Sequence, residues 1–366
     1  MSFFSRWGPP SFNTSSLIQE GLARPQQAIV FNQKIYWSEA GTNYPGATYP
    51  VRFNDGTIKR CDMDGSNAET IKTGLYYVIG IDIGRNPSNA GIGPGDTDVL
   101  FYADNLGGPD CESGDLDGYK GQVGYVALDG STSGALIEGC NDKNAYMDDP
   151  IAVAYVPIAS SLPEEKTPGI MYTEYGTDGS EPAQGVWYRC LTASALVAPT
   201  SLWLDNGSKP TSVSYDKTTN KVYWTTQGAY PFADGKIWRG TLDLENNTID
   251  SPELLVHGIE YITAFNIDMV NQAMYWSEGP FALSPGTPPW YYTCGLEDKT
   301  IWYAPMSGTG SVPAAPFMGS LNMPIGTFIS TTRRLYWSDG CDGTVKSAPL
   351  TGSGYYDTSS FSPNRI

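Results

Sequence analysis

One short pattern recurs six times along the chain, and a repeat limits the fold more tightly than composition can. Four copies are plain: Lys34-Ile-Tyr-Trp-Ser-Glu39, Lys221-Val-Tyr-Trp-Thr-Thr226, Ala273-Met-Tyr-Trp-Ser-Glu278 and Arg334-Leu-Tyr-Trp-Ser-Asp339. Two degenerate copies fill the gap between the first and second of these, Val99-Leu-Phe-Tyr-Ala-Asp104 and Gly169-Ile-Met-Tyr-Thr-Glu174. The six copies begin 65, 70, 52, 52 and 61 residues apart. After each comes a variable loop, a second apolar strand pattern and a small turn. Gly56-Thr-Ile-Lys-Arg-Cys-Asp-Met-Asp-Gly65, Gly235-Lys-Ile-Trp-Arg-Gly-Thr-Leu-Asp243 and Gly343-Thr-Val-Lys-Ser-Ala-Pro-Leu350 are examples. Short β-branched and aromatic runs bounded by Gly, Asn and Asp read as strands.

Six blocks of four short strands predict an all-β fold, a single six-bladed β-propeller spanning 1–366. The blades fall at about 28–75, 76–139, 149–204, 209–258, 260–319 and 323–352. Each runs from an inner strand through the Tyr-Trp strand and the Gly-x-Ile strand to an outer strand. The last block ends without its outer strand. Ser16-Leu-Ile-Gln-Glu-Gly21 resembles the outer strand Glu69-Thr-Ile-Lys-Thr-Gly74 of the first block. The N-terminus is therefore expected to close the ring by supplying the edge of the last blade, which hides an otherwise exposed strand edge. Composition agrees: 41 Gly and 27 Pro with only 17% charged residues suit strands and turns rather than long surface helices. The recurring Tyr-Trp pairs are expected to pack neighbouring sheets together and not to bind ligand.

Charge excludes two partner classes. With 22 Lys and Arg against 39 Asp and Glu the net charge is −17, and no basic stripe exists for nucleic acid or anionic lipid. No apolar run reaches the ~18 residues of a membrane-spanning helix. The first ten residues show no basic segment followed by an apolar one, so the chain is either cytosolic or Met1 stands where a signal peptide was removed. The sequons at Asn13, Asn206 and Asn246, the acidity and the six cysteines favour a secretory origin. None of the cysteines forms a Cys-x-x-Cys pair, so thiolate metal sites are not expected. Their places in the repeat predict disulfides Cys111–Cys140 and Cys294–Cys341. Cys61 and Cys190 sit on equivalent strands of blades that are not adjacent and are expected to remain unpaired with each other.

Aromatic residues gather in loops that should share one face. The loop after the first Tyr-Trp strand holds Tyr44, Tyr49 and Phe53; that of blade 4 holds Tyr230 and Phe232; that of blade 5 holds Phe281, Trp290, Tyr291 and Tyr292. The connections into the inner strands carry Tyr76-Tyr77, Tyr146-Met-Asp-Asp149, Lys209, His257 to Tyr261 and Leu321-Asn-Met323. Together they suit an apolar pocket with a few orienting polar groups. Tyr49, Phe53, Tyr77, Phe232, Phe281, Trp290, Tyr291 and Met323 are the candidate substrate-binding residues. Phosphate-binding loops, Gly-x-Ser-x-Gly elbows and His-Glu-x-x-His pairs are absent, and His257 is the only histidine. No cofactor is expected. Calcium needs only oxygen ligands, so a structural ion near Asp104, Asp110, Glu112, Asp115 and Asp117 is retained as an alternative.

The Tyr-Trp repeat, with Ile58-Lys-Arg60 and Asp64-Gly65 in the first blade, resembles the YWTD repeat of low-density-lipoprotein-receptor-type propellers. That resemblance covers about residues 16–352 and implies a propeller that grips protein partners on an exposed face. The stand-alone length, degenerate repeats and aromatic insertions also resemble the fungal propeller hetero-Diels–Alderases. That second resemblance implies an intermolecular cycloaddition between a tropolone-derived o-quinone methide and a humulene-type sesquiterpene. Such a reaction needs two oriented apolar reactants, an acid to expel water and donors to a carbonyl oxygen. His257, Asp149 and Tyr261 are the candidates for those roles. The enzyme reading is adopted, with an extracellular YWTD binding module and a Ca-dependent lactonase-like hydrolase as alternatives.

Overall fold

The computed structural model describes residues 15–41, 54–87, 95–105, 121–138, 150–175, 184–191, 199–204, 209–227, 234–260, 262–278, 299–307, 312, 314–330 and 332–350. After a short N-terminal strand, β1 (Ser16–Gln19), the chain builds blade 1 from β2 (Pro25–Phe31), β3 (Lys34–Glu39), β4 (Gly56–Asp62) and β5 (Glu69–Leu75). Blade 2 is β6 (Val78–Asn86), β7 (Thr97–Asp104), β8 (Gln122–Ala127) and β9 (Ser133–Glu138). Blade 3 is β10 (Pro150–Val156), β11 (Gly169–Glu174), β12 (Gly185–Cys190) and β13 (Thr200–Leu204). Blade 4 is β14 (Pro210–Asp216), β15 (Lys221–Thr226), β16 (Gly235–Asp243) and β17 (Thr248–Ile259). Blade 5 is β18 (Ile262–Asp268), β19 (Ala273–Glu278), β20 (Lys299–Pro305) and β21 (Ala315–Leu321). Blade 6 is β22 (Pro324–Ile329), β23 (Arg334–Asp339) and β24 (Thr344–Pro349), with β1 as its fourth strand.

The expected closure is therefore present. Strand β1 lies antiparallel to β24, with Ser16 opposite Ser347 and Gln19 opposite Val345. Ile18 and Leu22 pack on the core shared by blades 6 and 1, and Leu22 N–H donates to Gly343 O at 2.9 Å. The six inner strands touch one another in the cyclic order β2, β6, β10, β14, β18, β22 and back to β2.

Alternation along the repeat explains how six sheets make a ring. In a strand, successive side chains point to opposite faces. The Tyr position of each copy faces the following blade, and the Ile and Trp positions face the preceding one. Tyr36 of blade 1 thus packs with Leu100 and Tyr102 of blade 2, and Phe101 with Ile170 and Tyr172 of blade 3. Met171 meets Val222 and Trp224, Tyr223 meets Met274 and Trp276, and Tyr275 meets Leu335 and Trp337. Tyr336 of blade 6 closes the circle against Ile35 and Trp37 of blade 1. All four Trp of the repeat are at most 1% exposed. They are packing residues, as their periodicity implied.

The last two residues of most copies have their own task, with Ala103 in blade 2 lacking the hydroxyl and Thr226 in blade 4 lacking the acid. Each inner strand carries a β-bulge near its start, where two residues oppose one and an N–H loses its ladder partner. A hydroxyl from the neighbouring strand fills the gap. Gln27 N–H donates to Ser38 Oγ (3.2 Å), Ala152 N–H to Thr173 Oγ1 (3.1 Å) and Gly326 N–H to Ser338 Oγ (3.1 Å). Ser38 in turn donates to Ile79 O of blade 2 at 2.8 Å, and Ser338 donates to Gln26 O of blade 1. These hydroxyls both heal a bulge and join one blade to the next.

The acid that follows them anchors the chain entering the inner strand. Asp104, fully buried, accepts N–H bonds from Tyr76 (3.1 Å) and Tyr77 (2.7 Å). Glu39 accepts from Ala23 N–H (2.8 Å) and Trp37 Nε1 (2.8 Å), Glu278 from Glu260 N–H (3.1 Å), and Asp339 from Met323 N–H (3.1 Å). Ser-Glu, Ala-Asp and Ser-Asp endings all place an acid on this turn, so the drift in the repeat leaves the anchor in place. Further out, Arg60 and Arg239 occupy equivalent positions of blades 1 and 4. Each reaches the glutamate of its outer strand, Glu69 or Glu253, and a carbonyl of the next blade, Leu128 O or Met306 O.

Candidate functional site at the channel mouth

The inner strands all begin at one end of the channel. Thr263 Oγ1 donates to Pro324 O at 2.6 Å, Gln227 Nε2 to Ile262 O at 3.1 Å, and Ile81 N–H to Gln27 Oε1 at 2.9 Å. Among the described residues, the one just before an inner strand therefore stands on the rim of the mouth. Arg24, Tyr77, Lys209 and Met323 hold that place in blades 1, 2, 4 and 6. Asp149 and Tyr261 hold the same chain position in blades 3 and 5 and lie outside the described residues. The backbone is pinned alike at the four described places. Ala40 N–H donates to Arg24 O (3.1 Å), Asn105 N–H to Tyr77 O (3.1 Å), Gln227 N–H to Lys209 O (2.9 Å) and Gly340 N–H to Met323 O (3.0 Å).

Two of these rim residues are cations set against tyrosine rings. The Arg24 guanidinium lies 5.9 Å from the centre of the Tyr77 ring, and Lys209 Nζ lies 5.0 Å from that of Tyr175. Tyr175 and Gln227 are buried, and Tyr175 Oη donates to Gln227 Oε1 at 3.4 Å. Met323 is buried beside Cys341, whose Sγ is 3.5 Å from Met323 Sδ. Cys341 is disulfide-bonded to a cysteine outside the described residues, and no disulfide has both ends within them. Cys61 and Cys190 are thiols rather than half-cystines, and burial pushes the Cys61 thiol up to about 11.

His257 stands at the outer edge of the same face. It belongs to β17, the outer strand of blade 4, opposite Lys236, and the connection to blade 5 starts only at Glu260. Asp104 is the one member of the acidic insertion within the described residues, and its oxygens hold the Tyr76 and Tyr77 amides. Cys111, Cys140, Cys294, Tyr49, Phe53, Phe232, Phe281, Trp290, Tyr291, Asn13 and Asn206 lie outside the described residues, as do Asp110, Glu112, Asp115 and Asp117. The third sequon is described: Asn246 is exposed in the turn between β16 and β17, and its Nδ2 donates to Asp243 Oδ2 at 2.7 Å. Among the described residues no three His, Cys, Asp or Glu gather as a metal cluster, and no helix is long and apolar enough to cross a membrane.

Nothing in the sequence singles out Asp82, on inner strand β6. Its Oδ2 accepts Tyr155 N–H of blade 3 (2.7 Å) and its Oδ1 accepts Ile83 N–H (2.8 Å). Asn266 holds the equivalent position three blades away, with Oδ1 accepting Ile267 N–H and Nδ2 donating to Thr327 O of blade 6 at 3.2 Å. Burial pushes the Asp82 carboxyl up to about 6, while its two backbone hydrogen bonds pull it down. Between about pH 4 and 6 the folded chain thus holds a proton that the unfolded chain has released. Stability from this group falls as pH rises through that window and is level above it. Ionising this half-buried carboxyl, which keeps its proton to about pH 6, costs roughly 3 kcal/mol relative to the unfolded chain. Asp82→Asn should therefore gain on the parent by about 2–3 kcal/mol between pH 4 and 7, measured by urea unfolding. A constant difference across that range would show that the carboxyl titrates normally.

The class defined by this topology is the six-bladed β-propeller. No protein-family model and no curated protein matches the chain. Solved structures similar to it include a chain of the nidogen/laminin complex, with 13% identity and a TM-score of 0.49 over 78% of this chain and 83% of that one. TolB from Acinetobacter baumannii is 12% identical, with a TM-score of 0.44 over 80% of this chain and 59% of its own. A putative 6-phosphogluconolactonase from Bacteroides uniformis is 10% identical, with a TM-score of 0.48 over 88% and 79% respectively.

Proposed function

We propose that the rim of the channel mouth holds small apolar ligands and that the protein is a cofactor-independent enzyme of secondary metabolism. The reaction is an intermolecular hetero-Diels–Alder addition of a tropolone-derived o-quinone methide to a humulene-type sesquiterpene. The observation that supports this reading is the pinned rim. Four of its residues are fixed by backbone hydrogen bonds, and the strand ends flanking the aromatic-rich inserts 42–53 and 279–298 stand on the same face. Holding two reactants in a near-attack arrangement can lower a barrier by about 7–11 kcal/mol in ideal cases, and it needs no nucleophile. Asp149, Tyr261 and His257 remain the proposed donors for water loss and for the carbonyl oxygen. The outer-strand position of His257 makes it the weakest of the three. The disulfide at Cys341 supports a secretory location.

The test supplies a hydroxymethyl tropolone and a humulene-type alkene and follows the adduct's rate and stereochemistry. A shaped site should give one isomer quickly where the spontaneous reaction gives several slowly. Trp290→Ala or Phe281→Ala should lower kcat/KM by roughly ten- to a hundredfold, the equivalent of one buried ring. Identical product ratios with and without protein would sink the reaction and favour a YWTD-type module for a protein partner. Hydrolysis of a lactone that requires added Ca²⁺ would favour the lactonase-like reading.

A further inference from the structure

Of the three sequons, Asn246-Asn247-Thr248 is the one whose residues are all described. Blade 4 fixes where it stands. Strand β14 leaves the mouth, β15 returns to it with Thr226 opposite Pro210, and β16 leaves again with Thr241 opposite Lys221. The turn 244–247, which joins β16 to β17, is therefore on the face opposite the mouth. Burial sorts the side chains around that turn. Leu244 is 1% exposed and Ile249 is 6% exposed, and both belong to the core between blades 3 and 4. Asn246 lies between them in sequence and is exposed.

The turn is held in place without using up the Asn246 amide. Asn246 N–H donates to Asp243 Oδ1 at 3.0 Å, and Asn246 Nδ2 donates to Asp243 Oδ2 at 2.7 Å. Those two bonds hold the Asp243 carboxyl below its usual range, so it remains an ionised acceptor at neutral pH. Asn247, at φ 54°, is committed to blade 3: its Oδ1 accepts from Lys166 Nζ at 3.3 Å. The same ammonium reaches Leu244 O and Glu245 O. Thr248 Oγ1 donates to Asp250 Oδ1 at 2.7 Å on the surface. A primary amide carries two hydrogens on its nitrogen. Asp243 takes one from Asn246, and the other can be replaced by a covalent bond.

We propose that Asn246 carries an N-linked glycan, which stands on the face opposite the channel mouth. The inference rests on the secretory location drawn from the Cys341 disulfide. The donor is an oligosaccharide carried on a polyprenyl diphosphate. Asn246 Nδ2 forms a bond to the anomeric carbon of the first sugar, and the bond from that carbon to the diphosphate oxygen breaks. The displaced amide proton leaves with the diphosphate, and nothing is oxidised or reduced. The secondary amide that results keeps one N–H for Asp243, so the turn has no need to rearrange. A glycan is bulky and hydrated and must lie in solvent once the chain has folded. An outward asparagine between two buried anchors meets that demand, and it leaves the mouth clear.

The full chain, secreted from a eukaryotic host, is treated with peptide-N-glycosidase in heavy-oxygen water, which turns a glycosylated asparagine into a labelled aspartate. Peptide mapping should find the label at position 246 in most chains. Thr248→Ser keeps the hydroxyl that a sequon requires and should keep the label, whereas Thr248→Val should lose it. Asn246→Gln should remove the glycan and, as a surface change, leave the melting temperature within about 2 °C once the parent has been deglycosylated. A bare Asn246 in secreted protein whose Cys341 is bridged overturns the glycan and leaves the location standing. A bare Asn246 with Cys341 as a thiol overturns the location as well. A label that survives Thr248→Val marks spontaneous deamidation and overturns the glycan too.

Discussion

Protein lacking residues 1–22 is expected to precipitate on expression or to melt roughly 10 °C or more below the full chain. The deletion removes the fourth strand of blade 6 and bares the edge of Thr344–Pro349 along its length. It also removes Ile18 and Leu22 from the core between blades 6 and 1, where each aliphatic side chain contributes about 1.5–3 kcal/mol when fully buried. The same strand reaches sideways: Gln19 Nε2 donates to Gly65 O in blade 1, and the Cα of Gly65 packs so near Ile18 O that a Cβ would be 2.4 Å from it. Blades 6 and 1 thus lose a tie as well as an edge. Calorimetry and a solubility assay measure the effect. A midpoint within a degree or two of the parent would mean that the ring is held closed by its inner strands alone.

Asp104→Ala is expected to destabilise the protein by about 3–5 kcal/mol, because two backbone N–H groups in a buried turn lose a charged acceptor together. Asp104→Asn keeps one acceptor oxygen and should lose about half as much. Tyr77 is one of the residues thereby released, so ligand affinity should fall in the same variants even where the fold survives. Denaturant unfolding at matched pH decides the first point. A loss below about 1 kcal/mol would show that the turn finds other partners.

The architecture is readable from the chain because the repeat carries packing and hydrogen bonding in four adjacent residues. Tyr and Trp point to opposite blades, the hydroxyl repairs the bulge, and the acid holds the turn. Any sequence that keeps those tasks keeps the spacing, and Ser16 to Gln19 is recognisable as a missing outer strand from its likeness to blade 1. The rim is less legible. Tyr77, Asp149, Tyr261 and Met323 come to notice because aromatic, acidic and sulfur-bearing residues stand out in turns. Lys209 stands in the same kind of turn without showing a role, and Arg24 looks like any other surface charge. A usable signal is present, since Arg24-Pro25, Asp149-Pro150, Lys209-Pro210 and Met323-Pro324 share a proline that opens an inner strand. His257 groups with the rim in sequence only because it lies close to Tyr261. In the fold it is level with Pro210 through Lys236 and Thr226, but it lies on the outer strand, at the periphery of that face. Asp82 is invisible in the sequence because its significance comes from a backbone N–H 73 residues away.

Closure by the first strand sets a timetable for the molecule's birth. Ser347, the partner of Ser16, is made 331 residues after it. At about 5–20 residues per second, that is a wait of roughly 15–70 s during which β1 has no sheet to join. Five blades can assemble in order as they emerge, each covering the open flank of the one before. The sixth cannot be completed until Ser347 and its neighbours in β24 have been made. A short β1, four residues with Ser and Gln at its ends, is then an asset: it offers passing chains little to adhere to while it waits.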